Sequence, residues 1–140
     1  MSEYLDYAGN PVPPPPAYGS NSVADVFESA ASLVAQRSLP RAQHPLDDEP
    51  GFSLDADPLN LAQRLTEAGA DPNGFRNICL IMVDGLGEQL LQSYVSYAPY
   101  LKKTVSLGAL DAAFPTTTAA SLGSLGTASA PGAHGIVGYE

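Results

Sequence analysis

Two places in the chain carry groups that can do chemistry. The first is Asp84, which closes an unbroken apolar run, Ile78 to Val83, and precedes Gly85, Leu86 and Gly87. The second is the triplet Thr116, Thr117 and Thr118, which follows Pro115 and leads into a small-residue stretch from Ala119 to about Ala128. In open α/β sheets ligands bind beyond the carboxyl ends of the strands, so an acid placed there can hold a metal or a polar ligand. The same acid can open a turn or cap a following helix, because Asp-Gly is a common turn pair. A hydroxyl at a helix start lies beside free backbone N–H groups and the positive end of the dipole, which suits an anion such as phosphate. It also serves as an ordinary N-cap.

These groups need elements to position them. The run Ile78–Val83 is short and continuous, which suits a strand buried on both faces, as in a parallel sheet covered by helices. A helix is expected from Glu88 to about Tyr97, with Leu90, Leu91, Tyr94 and Val95 facing inward, broken by Pro99. Tyr100 to Thr104 adds a turn carrying Lys102 and Lys103, and Leu107 to Phe114 reads as a second strand. Strand, helix, strand in that order is a βαβ-like unit. Leu122 and Leu125 face inward from the helix after the threonines. His134 then stands in a turn, and Ile136 and Val137 start what reads as another strand.

Upstream, residues 1–20 form a proline-rich arm expected to be extended and solvated, with Pro11 and Pro13 to Pro16 as its core. It is a candidate ligand for a proline-reading domain, and the tyrosines at 4, 7 and 18 are candidates for docking it on the body. Residues 21–76 are a helical, acidic leader and connector. Ser22 and Asp25 make a Ser-x-x-acid capping pattern, followed by Val23, Val26, Phe27, Ala30 and Val34 at helical spacing up to a stop before Pro40. Residues 39–57 are an acidic, proline-punctuated connector. His44 reads as solvated, and Asp47, Asp48 and Glu49 read as a charge run rather than a metal cage. Asp57-Pro58 starts a second helix with Leu59, Ala62 and Leu65 as its stripe and Gly69 as its end.

Composition narrows the function. The chain has 140 residues, is 44% hydrophobic and carries a net charge of −9 from 15 acids and 6 bases. That balance argues against nucleic acid and against an anionic membrane surface, both of which need basic patches. Cys79, the single cysteine, reads as a small buried hydrophobe, so neither an internal disulfide nor a thiolate cluster is available. There is no signal-peptide pattern and no run of about 18 apolar residues, and the expected compartment is the cytoplasm.

Four elements in order, LIMVDGLG, FPTTTAASLGSLGTA, HGIVGY and the intermediate APYLKK, resemble the alkaline phosphatase superfamily, in its nucleotide pyrophosphatase/phosphodiesterase branch. The resemblance covers residues 77–140, and SVADVFESAASLV resembles the leading helix of bacterial members. It implies an α/β core, a parallel or mixed sheet with flanking helices, incomplete in this chain. It also implies hydrolysis of a small phosphodiester or nucleotide substrate through a threonine nucleophile and two zinc ions. Asp84 matches the metal-binding aspartate. Thr118 matches the nucleophile that bridges to the metal, in preference to Thr116 or Thr117, and His134 matches a turn histidine that is not a ligand. Tyr139 falls where eukaryotic members carry an asparagine that holds a phosphate oxygen. A zinc site takes three or more protein ligands, and the resemblance places the others far downstream. The 140 residues therefore read as the N-terminal piece of a larger enzyme, the alternative being a truncated, non-catalytic or regulatory chain.

Overall fold

The computed structural model describes residues 5, 6, 8–38 and 56–139. The expected docking of Tyr4 and Tyr7, the helix stop at Pro40 and the connector residues His44, Asp47, Asp48 and Glu49 lie outside the described residues. In chain order the elements are α1 (Asp25–Ser38), α2 (Leu61–Glu67), α3 (Glu88–Tyr94), two 3-10 turns (Val95–Tyr97 and Leu101–Lys103), α4 (Thr118–Thr127) and α5 (Pro131–His134). Among the described residues no helix is long and apolar enough to cross a membrane.

The start of α1 is fixed by a buried carboxylate. Asp25 is 4% exposed. It accepts the backbone N–H groups of Gly19, Ser20 and Ser22 and the Ser22 hydroxyl, at 2.7–3.1 Å. This is the returning half of the expected capping box, in which the acid satisfies the N–H of the residue three before it. The face that α1 buries differs from the apolar stripe in the sequence. Ala30 is buried and Val23, Val26 and Val34 are half-buried, but Phe27 is 41% exposed, while Ser29, Ser32 and Leu33 are buried. The serines can go inside because their hydroxyls are used. Ser29 Oγ accepts the Leu59 N–H at 3.0 Å, and Ser32 Oγ donates to the Ser29 carbonyl at 2.8 Å. Buried polar groups are tolerated when they are hydrogen-bonded. The small side chains bring α1 close to α4, where Ala119, Ala120, Ser121 and Ser124 are buried.

The α2 helix begins later than its signals. Asn60, in the left-handed region at φ 50°, is its N-cap and makes no side-chain cap. Asp57 does the capping from further back, its two carboxylate oxygens accepting the Leu61 and Ala62 N–H groups at 2.8 and 3.0 Å. Arg64 of α2 donates to the Leu107 carbonyl and to Asn21 Oδ1, both at 3.1 Å, and so ties α2 to the leader and to the segment entering the threonine turn.

The expected strands take a different form. The described residues hold two isolated bridges, Leu5 with Pro11 and Ser22 with Asp111, and no ladder. Residues 107–114 are the second strand of the expected βαβ-like unit. Their one bridge instead runs parallel to the leader, with Asp111 N–H on the Asn21 carbonyl and Val23 N–H on the Asp111 carbonyl. Residues 78–83 form no bridge, and Ile81 is 83% exposed. Cys79 is likewise exposed rather than buried. A strand needs backbone neighbours as well as apolar side chains, and the leader has taken the second strand of that unit. Ile78 and Leu80 instead edge an apolar cleft of about 310 Å³ shared with Leu33, Leu59, Leu107 and Leu110.

Candidate active site

The turn from Phe114 to Thr118 carries the hydroxyl groups. Its upstream end is held by Tyr18, whose phenol oxygen accepts the Phe114 N–H at 2.9 Å. Thr117 N–H donates to the Pro115 carbonyl at 2.8 Å, which closes the turn. The α4 helix then begins, and the three threonines separate by role. Thr116 is exposed. Thr117, in extended backbone, is the N-cap: its Oγ1 accepts the Ala120 N–H at 3.1 Å. The same hydroxyl donates to the Val137 carbonyl at 2.9 Å. Thr118 is the first helical residue rather than the one before the helix. Its Oγ1 donates to Asp84 Oδ2 at 3.0 Å, across 34 positions of sequence.

That contact brings together the two groups singled out from sequence. Asp84 follows the exposed segment 78–83 and precedes Gly85, which turns the chain at φ 71°, a conformation glycine adopts without steric cost. It does not cap α3, whose N-cap, Gly87, makes no side-chain bond. Around Thr118 the α4 N-terminus contributes the N–H groups of Thr118 and Ala119, which have no partner among the described residues. Free first-turn N–H groups beside a hydroxyl form an arrangement that accepts an anion.

His134 supports the turn from the other side. Its Nδ1 accepts the Ile136 N–H at 3.1 Å, so the ring proton sits on Nε2, which donates to Ser124 Oγ at 3.0 Å. Both nitrogens are engaged in hydrogen bonds. The ring lies so close to α4 that a Cβ on Gly123 would be 2.8 Å from His134 Cε1. This clasp fixes the turn that carries the Val137 carbonyl to Thr117. Tyr139 is not drawn in: its side chain is 78% exposed, and no hydrogen bond links its hydroxyl to Thr118 or Asp84.

Among the described residues no group of three or more His, Cys, Asp or Glu side chains could hold a metal ion. The Asp84 carboxylate and the Thr118 hydroxyl are two oxygen donors, short of the three or more protein ligands of a zinc site. The residues present therefore do not by themselves fit the zinc pair implied by the resemblance. Sequence reasoning misses Ser124 and Gly123. Their signal is a Gly-Ser pair inside a short helix facing a histidine ten residues on. Tyr18, a docking candidate of the arm, does meet the body, at the Phe114 N–H.

No curated protein and no solved structure matches the chain. A family model does, over residues 78–140. That segment, with Asp84 and Thr118 in hydrogen-bond contact, is similar to the type I phosphodiesterase / nucleotide pyrophosphatase family.

Proposed function

We propose that this chain supplies the nucleophile and one acidic ligand of a site that cleaves phosphodiester or pyrophosphate bonds in small molecules. Thr118 is the nucleophile and Asp84 the ligand. The observation that carries the reading is the 3.0 Å hydrogen bond from Thr118 Oγ1 to Asp84 Oδ2. That the Thr117 hydroxyl caps α4 and holds the Val137 carbonyl supports Thr118 over Thr117 for the role. Thr118 has its proton directed at a carboxylate, which leaves the oxygen lone pairs free to approach phosphorus.

In this reading a phosphoryl oxygen is received by the free N–H groups at the start of α4, where the helix dipole favours negative charge. Thr118 Oγ1 forms a bond to phosphorus, its proton passes toward Asp84, and the ester oxygen departs. Water then releases the phosphoryl group from threonine. A threonine hydroxyl is a weak nucleophile at neutral pH and needs activation. Asp84 is the contribution of this segment to the metal centre of the family, and further ligands come from outside the described residues. An α/β core around residues 77–140 is part of the same proposal: the 78–83 run would be one strand of that sheet.

The test is turnover of bis(4-nitrophenyl) phosphate by the protein made from its native gene. Thr118→Ala is expected to lower kcat by on the order of 10³-fold or more, the scale of removing a nucleophile. Thr117→Ala should lose stability first. A phosphorylated peptide containing Thr118, trapped by acid quench, would identify the attacking oxygen. Full activity of Thr118→Ala at unchanged metal content overturns the assignment.

A further inference from the structure

We infer that Tyr18, which lies 60 residues before the family segment, is a positioning residue for the Thr118 turn. The inference rests on the proposed role of Thr118 and extends the site to the end of the arm. Together the arm and the leader grip the segment entering the turn at successive points. Ala17 N–H donates to Asp111 Oδ2 at 2.9 Å, and Asn21 Nδ2 donates to the Ala109 carbonyl at 3.1 Å. The Ser22–Asp111 bridge adds two backbone bonds. The last grip before the threonines is Tyr18 on the Phe114 N–H.

That grip matters because the residues just after Phe114 offer the leader nothing else to hold. Pro115 has no N–H to anchor. Thr116 is exposed, and the Thr117 N–H is spent on the Pro115 carbonyl inside the turn. Without the Tyr18 bond, the nearest upstream contact to the leader is at Asp111, three residues further back. The turn would then be held only by α4 itself, by the Val137 carbonyl and by Asp84. Tyr18 touches no reacting atom. It sets where the backbone enters the turn and therefore where Thr118 Oγ1 sits against Asp84. The ring is half-buried, so removing the hydroxyl alone leaves its packing in place.

The test compares Tyr18→Phe, Thr118→Ala and a control, Tyr97→Phe at an exposed ring outside the turn, in the protein from its native gene with bis(4-nitrophenyl) phosphate. Tyr18→Phe is expected to lower kcat about fivefold, the scale of one net hydrogen bond, with KM unchanged and a melting temperature close to that of the control variant. An unchanged kcat in Tyr18→Phe, with Thr118→Ala inactive, overturns the positioning role and leaves the nucleophile standing. An active Thr118→Ala overturns the reading beneath it. Amide hydrogen exchange decides the positioning role without turnover. Tyr18→Phe should speed exchange about fivefold at Phe114 and also at Thr117 and Thr118. Acceleration confined to Phe114 overturns it.

Discussion

Two regions of this molecule meet at one hydrogen bond and are built in opposite ways. The leader, residues 107–114, α4 and α5 form a knitted region. Apart from Leu33 and Leu59 its buried residues are mostly small, including Ala24, Ala30, Ala113, Ala119, Ala120, Ser29 and Ser124, and its order comes from polar contacts over long sequence separations. The stretch from 78 to 106 is the apolar one by sequence, yet Ile81, Met82, Val83 and Leu90 are exposed. The Thr118–Asp84 bond joins the two. Apolar content states how much burial a segment demands, whereas hydrogen-bonded neighbours decide which segment is satisfied. Here the weaker-looking sequence found partners and the stronger-looking one did not.

The comparison is most severely tested in the knitted region. Replacing Asp25 with Ala strands the buried N–H and hydroxyl of Ser22 and releases the N–H groups of the exposed Gly19 and Ser20. Each unsatisfied buried donor costs about 1–3 kcal/mol, so after relaxation the variant should lose about 3 kcal/mol or more. Urea denaturation measures this. A loss below about 1 kcal/mol would mean that the leader is not held by its carboxylate. Gly123→Ala should cost somewhat less. The new methyl meets the His134 ring at 2.8 Å, and overpacking of this kind costs about 1–3 kcal/mol. Because that ring fixes the turn behind Thr117, the variant should also weaken the α4 cap. Faster amide exchange at Ala120 relative to the middle of α4 would show it.

How much of this was legible in the sequence follows the same division. The helices were readable because caps and breakers are local. Asp25, Asp57 and Gly69 all act near their expected places, although Asp57 serves the first turn from three residues before the cap. The meeting of Asp84 and Thr118 could be anticipated because both lie in the stretch, residues 78–140, that matches the family model. The inward face of α1 was not. Nothing in a serine's composition says that its hydroxyl will meet Leu59 N–H thirty residues away. The partner of residues 107–114 was missed for a related reason. The leader's Asn21 and Val23 pair through backbone groups that every residue carries, so no side-chain pattern announces them. Tyr18 was readable as a docking candidate but its partner was not, since its phenol works on a backbone N–H 96 positions away.

The smallest expected effect falls in the apolar region and sharpens the comparison most. Ile81→Lys places a charge in the middle of the run Ile78–Val83. In a strand buried on both faces, that charge would be desolvated without a partner and would cost several kcal/mol. At a side chain that is 83% exposed, it should change stability by less than about 0.5 kcal/mol, as surface substitutions do. Cys79 reports on the same question without a mutation. Its exposed thiol should react with a thiol reagent in the native protein about as completely as in urea. A silent Ile81→Lys with a reactive Cys79 would establish that the apolar run is an open edge, held in place at Asp84 rather than by burial. A strongly destabilised Ile81→Lys with a protected Cys79 would mean that the run is covered in solution. The α/β sheet proposed around residues 77–140 would then already be closed over it, and the contrast between the two regions would disappear.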